Sequence, residues 1–217
     1  MAQVEGIFVS HEHSDHIVGL QQLLKRFDIP VYTKQGTWRE IQDKLIVPKN
    51  RLIELTKGSL TLGSLIVEPF SVSHDAADPI GINVFAGNDK ATIVTDTGVI
   101  SDDVLRRIDD TTLLVLEANY DPHMLRFGPY QPFLKQRVAS DEGHLSNEMA
   151  AQALLMMKRP DFMQVILAHR SENNNNAVLV TQTIGKMLVD GGVRIGPEMK
   201  LQHGQPNEIV SIQSVER

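Results

Sequence analysis

Three histidines and two acids occupy five of the six positions of HEHSDH, residues 11–16, directly behind the apolar run GIFVS. Neutral imidazole and carboxylate groups suit zinc, manganese or iron rather than calcium or magnesium. The chain has no cysteine, so any metal must be held through nitrogen and oxygen. Alternate side chains of an extended segment point the same way, which lets His11 and His13 converge on one point. Asp15 and His16 follow where the chain turns toward a helix, and can face a second point. The stretch thus offers a histidine pair for one cation and an Asp–His pair for its neighbour.

The missing ligands are to be sought where other apolar runs end, because rigid strands display functional residues at their loop-facing ends. His74 closes FSVSH and would complete a three-histidine set with His11 and His13. Asp96, in IVTDTG, has two carboxylate oxygens and could bridge both cations. His169 closes VILAH and would complete the second set with Asp15 and His16. A two-metal site assembled on one rim is the expectation, with Glu117 in a further apolar run, TTLLVLEAN, beside it.

The elements that must carry these residues are mixed. GIFVS (6–10) and PVYT (30–33) read as strands, and SDHIVGLQQLLKRF (14–27) as one helix capped by Ser14. GTWREIQDKL (36–45) is a helix. Strands then dominate: RLIEL, SLTLGSLIVEPFSVSH, IGINVFAG and KATIVTD, with GNDK at 87–90 as a hairpin turn. SDDVLRRI is a helix, and 111–119 a buried strand. Prolines 122, 129 and 132 break the stretch that follows into helical or irregular pieces. Helices are expected from about Ser146 to Lys158 and over roughly 173–190, with the strand FMQVILAH (162–169) between them. MKLQ and EIVSIQ read as closing strands.

Of the 217 residues 41% are hydrophobic, enough for one large core, so residues 1–217 read as a single domain. The formal charge of -6 argues against non-specific coating of nucleic acid, though a local basic patch could still hold a strand. The absence of cysteine fits a cytoplasmic protein. No apolar run approaches membrane-spanning length, and the N-terminus lacks a basic segment followed by an apolar one.

HEHSDH, His74, Asp96 and His169, in that order, resemble the metallo-β-lactamase superfamily. That resemblance implies a four-layer αβ/βα sandwich with metals at one rim. LVLEANYD (114–121), GPYQPFLKQRV (128–138), GHLSNEMAAQ (143–152) and LAHRSENNN (167–175) are similar to the YycJ/WalJ (VicX) branch, regarded as DNA exonucleases found beside a two-component system. The spacing of LEA, GHLS and LAH is also similar to ribonuclease Z. By that likeness Glu117 orients and charges His144, which acts as a general acid. Three departures stand out. Tyr120 replaces a histidine common in relatives, Ala168 replaces serine or threonine, and the first N-terminal strands of the fold are lacking.

The resemblance implies a phosphodiesterase with two divalent ions. Two dications, offset by Asp15, Asp96 and a bridging hydroxide, leave about one positive charge for a phosphodiester. Asp15 would orient that hydroxide, and Lys135, Arg137, Arg126 and Arg170 could hold the strand backbone. Candidate partners are DNA or RNA, a second copy in a homodimer, and the signalling system. Two alternatives stay open: a thioester or lactone hydrolase of the glyoxalase II type, and a shortened, non-catalytic regulatory partner.

Overall fold

Ten strands form two sheets in the computed structural model of the protein, which describes residues 4–56, 58–205 and 208–212. The small sheet is parallel, in the order β1 (Ile7–Phe8), β2 (Val31–Thr33), β3 (Leu52–Glu54). The large sheet contains β4 (Leu60–Leu62), β5 (Leu65–Ser71), β6 (Ile80–Ala86), β7 (Asp89–Val94), β8 (Leu113–Glu117), β9 (Met163–Ala168) and β10 (Met199–His203). Its order runs β10-β9-β8-β7-β6-β5-β4. Strands β4 to β7 pair antiparallel, and β7 to β10 parallel. Because β5 and β7 both run against β6, their C-terminal ends share a rim with those of β8 and β9. The β6–β7 hairpin turns on Gly87 and Asn88 alone, with Gly87 at φ +59, the left-handed conformation such a turn requires.

Among the described residues eight α-helices lie on the outer faces. Helices α1 (Ser14–Ile17), α2 (Leu20–Arg26) and α3 (Gln35–Gln42) pack Ile17, Leu20, Leu24 and Ile41 on Val9 and Val31 of the small sheet. Between the sheets lie Tyr32, Leu55, Val67, Ile80 and Ile82. On the far side α4 (Asp102–Ile108), α7 (Asn147–Met156) and α8 (Ala177–Asp190) bury Val104, Leu154 and Ile184 against Leu114, Leu116, Val165 and Leu167. Each such side chain, fully buried, contributes about 1.5–3 kcal/mol. The result is helices, sheet, sheet, helices: the four-layer αβ/βα sandwich. The small sheet has three strands among the described residues against seven in its partner. Ile93, on the face of β7 turned away from the helices, remains 43% exposed.

Local chemistry sets the helix starts. Ser101, Ser146 and Asn176 accept from Val104, Met149 and Leu179 N–H to cap α4, α7 and α8. Helices α5 (Pro122–Phe127) and α6 (Pro132–Val138) begin on prolines, whose missing N–H costs nothing in a first turn.

Four expectations need correction. The helix expected over 14–27 is divided at Val18 and Gly19, and His13, not Ser14, occupies the cap. His13 makes no capping bond because its ring is turned into the histidine cluster. The last helix begins at Ala177, since the asparagines before it form the turn that Asn176 caps. His74 lies three residues beyond β5 rather than at its end. EIVSIQ forms no strand over residues 208–212, where Ile209 is 96% exposed and so gains nothing from burial; Gln213 lies outside the described residues. Among the described residues no helix is long and apolar enough to cross a membrane.

Candidate metal centre

The loops leaving β1, β5, β7 and β9 bring seven ligand-type side chains to one rim. His11 is buried and turns Nδ1 toward Ser10 Oγ at 3.1 Å, which aims Nε2 inward. His74 lies with Nδ1 3.0 Å from the Gly143 carbonyl, to which it donates, so its Nε2 presents a lone pair. That Nε2 lies 3.3 Å from His13 Nδ1. One ligand atom each from His11, His13 and His74 fall within 4.8 Å of one another.

The second group is Asp15, His16 and His169, whose ligand atoms also lie within 4.8 Å. His16 and His169 set Nε2 at 3.9 Å or less from Asp15 Oδ2 (3.6 and 3.9 Å). Asp96 stands between the groups. Its Oδ2 is 3.3 Å from His16 Nε2, and its Oδ1 is 3.3 Å from His169 Nε2 and 3.8 Å from His74 Nε2. The His16 contact is close but off the hydrogen-bond line, so Oδ2 has no donor.

The donors fit a divalent cation. His11 Nε2 and Asp96 Oδ2 are buried without a hydrogen-bond partner, an arrangement costing about 1–3 kcal/mol per group unless something else takes the lone pair. Burial, aided by neighbouring His16, pushes His11 down to about 3, which keeps its imidazole neutral and ready to ligate. Burial likewise lowers His74, against the pull of Asp96. Asp96 resists the opposing effect of burial and is held well below the usual carboxylate range by His16 and His169.

Glu117 is the hub behind this cluster. It is the last residue of β8 and has no exposed surface. Its Oε1 accepts from His144 Nδ1 at 2.7 Å and from His169 Nδ1 at 2.8 Å. Its Oε2 accepts the backbone N–H of Thr97 at 3.1 Å and Leu145 at 3.2 Å. These bonds to His144 and His169 outweigh burial and keep the carboxyl ionised. In return Glu117 overcomes the effect of burial on His169 and pushes it up to about 9. The expected partner of Glu117 is His144 alone; the structure adds a ligand-type histidine, His169, to the same oxygen.

His144 and His169 open onto a cavity of about 900 Å³ lined also by Arg137, Arg170, Tyr130 and Asn119. Arg126 and Lys135 are not part of that lining. Lys135 donates to the Arg126 carbonyl, and the Arg126 guanidinium sits 5.3 Å from the Phe127 ring. Tyr120 is buried with Leu125 and Val138, beside α5 and α6. Ala168 only lines the cavity.

Several contributors are not singled out by residue type or spacing in the sequence. Ser10 Oγ stands between His11 and His16, 3.1 and 3.3 Å from their Nδ1 atoms. Asn119 donates to the His169 carbonyl at 2.8 Å, holding that residue at φ +53. Glu12, buried within HEHSDH, accepts from Ala77 N–H at 2.8 Å and ties the two histidine loops together. Only Glu12 carried a signal, as the one unused acid in the motif.

Comparisons with known proteins bear on the family and the fold. Residues 1–169 match the family described as "Beta-lactamase superfamily domain". The chain is 36% identical over 214 residues to "Exodeoxyribonuclease YycJ" of Bacillus anthracis, covering 98% of this chain and 81% of that protein. It is 31% identical over 209 residues to "Exodeoxyribonuclease WalJ" of Streptococcus pneumoniae, covering 94% and 77%. Its fold matches the metallo-beta-lactamase fold protein YhfI from Bacillus subtilis with a TM-score of 0.67 at 16% identity, over 91% of this chain and 75% of that one.

Proposed function

The chain belongs to the beta-lactamase superfamily, and from that premise we propose that it is a metal-dependent nuclease cutting phosphodiester bonds of DNA from an end. The observation that carries this reading is the convergence of two ligand triads on Asp96, beside a buried Glu117 that holds His144 at the mouth of a cavity. The names of the relatives support the substrate: both are called exodeoxyribonucleases.

His11, His13 and His74 would hold one divalent ion, Asp15, His16 and His169 a second, and Asp96 both. Zinc, manganese and iron suit these nitrogen and oxygen donors. When bound, such ions supply a water-derived nucleophile at neutral pH and stabilise charge on phosphoryl oxygens.

The chain's own groups do the rest. Asp15, the most exposed ligand-type residue at 66% of its side chain, can accept a proton from the attacking water and orient it. His144 has Nδ1 committed to Glu117, so its Nε2 is the atom available for the departing deoxyribose oxygen. That oxygen is strongly basic as an alkoxide, and protonating it during departure is worth about 10²–10⁴ in rate. Arg137 and Arg170 on the cavity wall supply cations for backbone phosphates.

The test is direct. Purified protein supplied with manganese or zinc should release nucleotides from end-labelled single- or double-stranded DNA, with RNA as comparison. If it leaves all nucleic acid intact yet hydrolyses a lactone or thioester, the nuclease reading is wrong.

A further inference from the structure

Asp75 follows His74 directly, yet belongs to neither ligand triad. Its Oδ1 lies 3.5 Å from His74 Nε2 and 3.9 Å from His13 Nε2, at the outer edge of the cluster. On its other side the carboxylate receives Arg137 in a bidentate pair, Nε to Oδ2 and Nη2 to Oδ1, the latter at 2.9 Å. Arg137 in turn lines the cavity with His144 and His169. One carboxylate therefore links the histidine rim to a cation on the cavity wall.

Stability does not account for this pair. Arg137 is 46% exposed, and ion pairs so open to water contribute little. The backbone around it is nevertheless held closely. Asp75 N–H donates to the Glu142 carbonyl at 3.0 Å, and His144 N–H to the Val138 carbonyl at 2.9 Å. Gly143 fits under the end of α6 only because it has no side chain: a Cβ there would stand 2.2 Å from the Arg137 carbonyl. The end of α6 is thus fixed against the loop that carries His74. The bidentate pair spends two of five guanidinium donors. The other three have no protein partner among the described residues.

We propose that Arg137 grips the phosphate adjacent to the scissile one, and that Asp75 is the positioning residue that aims it. The proposal rests on the nuclease reading. Asp75 cancels most of the charge of Arg137, so the pair supplies direction rather than long-range attraction. A planar fork held by a carboxylate can offer its outer edge to phosphate oxygens in one orientation. Lysine, a mobile point charge, cannot do both.

The experiment compares metal-loaded wild type, Asp75→Asn, Arg137→Gln and Arg137→Lys on two oligonucleotides and on bis-nitrophenyl phosphate. One oligonucleotide is natural, and the other carries a neutral methylphosphonate beside the scissile position. Wild type should lose about tenfold in kcat/KM on the neutral substrate, the worth of one good charge-assisted contact. Arg137→Gln and Asp75→Asn should lose about tenfold on the natural oligonucleotide and nothing more on the neutral one. Arg137→Lys should not rescue. The loss on bis-nitrophenyl phosphate, which has no adjacent phosphate, should be smaller than on the natural oligonucleotide, and metal content should stay within twofold of wild type. Variants that keep the wild-type sensitivity to methylphosphonate overturn the proposal. So does Asp75→Asn if it sheds metal and loses both activities, because Asp75 is then a ligand or a structural group. Should Asp75→Asn not fold, Arg137→Gln, on the exposed side of the pair, decides alone. A wild type that turns over bis-nitrophenyl phosphate but cuts no oligonucleotide overturns the nuclease reading instead, and this proposal with it.

Discussion

Replacing Glu117 by glutamine changes one atom and should disturb both the metal centre and the fold. Four N–H donors converge on this carboxylate: His144 and His169 Nδ1 on Oε1, and Thr97 and Leu145 N–H on Oε2. A glutamine has one acceptor oxygen and two donors of its own. If its oxygen faces the histidines, its NH₂ meets two backbone donors that have nowhere else to turn. If the NH₂ faces the histidines, each must accept at Nδ1 and carry its proton on Nε2, and a protonated Nε2 on His169 cannot ligate. Either way two buried donors or two tautomers are lost, at about 1–3 kcal/mol each, so about 2–6 kcal/mol in all. For a chain of this length that lowers the melting temperature by about 5–20 °C. Loss of the carboxylate behind His169, a proposed ligand, should also weaken metal affinity about 10–100-fold. Calorimetric titration of the stripped protein with manganese, alongside thermal melts, measures both. A Glu117→Gln protein that melts within 2 °C of wild type, to within roughly 1 kcal/mol, and binds manganese equally well would refute the hub role.

Other outcomes follow from the same geometry. Asp96→Asn keeps a residue tolerant of positive φ but removes the charge proposed to bridge the two groups, so elemental analysis should show lower occupancy of both triads; unchanged metal content would remove Asp96 from the proposed ligand set. His144→Ala should slow DNA cleavage by about a hundredfold or more while leaving hydrolysis of bis-nitrophenyl phosphate and metal content nearly unchanged, since nitrophenolate leaves unaided. Equal losses on both substrates would end the general-acid role. The metal-stripped protein should be most stable near neutral pH. His169 is raised to about 9, so the stability it contributes is present below its unfolded value of about 6.5 and is lost as pH rises toward 9. His11 is lowered to about 3, so the stability it contributes is present above about 6.5 and is lost as pH falls toward 3. Melting temperatures from pH 4 to 10 check this, and a curve that climbs steadily toward either end would contradict it.

The ligand-type residues were legible because chemistry narrows them to a few residue types and strand periodicity tells where chains end. HEHSDH, His74, Asp96 and His169 needed no knowledge of distance. What spacing cannot show is which groups meet across the fold. Arg137 and Asp75 are 62 positions apart, and nothing in LKQRV marks that arginine rather than Lys135 as the one facing the cavity. The sharing of Glu117 Oε1 was equally hidden, because His169 reaches it only after parallel pairing of β8 and β9 sets Glu117 beside Ala168, and His144 only through the loop whose Leu145 N–H binds Oε2. Hydrophobic alternation misled at EIVSIQ: over residues 208–212 the chain forms no ladder on the edge strand β10, and only the Gln202 side chain reaches it, donating to the Ser211 carbonyl at 3.1 Å. The single helix expected over 14–27 failed for another reason: continuity of the apolar pattern says nothing about a break at Val18 and Gly19.

The same strand ends show what holding such a site costs the fold. Among the described residues three non-glycines have positive φ, and two of them, Asp96 at +56 and His169 at +53, are ligand-type residues. A left-handed residue costs about 1–2 kcal/mol for an L-amino acid, and persists only where surrounding contacts fix it. Here they do. Asp96 leaves β7 immediately before Thr97, whose N–H is bound to Glu117. His169 leaves β9 under Asn119, which holds its carbonyl, and opposite Glu117, which holds its ring. Both strands flank β8, the strand that ends in Glu117. The central parallel strand thus braces the strained residues on either side of it through one buried carboxylate. That arrangement turns both side chains back across the rim toward each other, to the 3.3 Å approach of Asp96 and His169 that an extended chain would not reach.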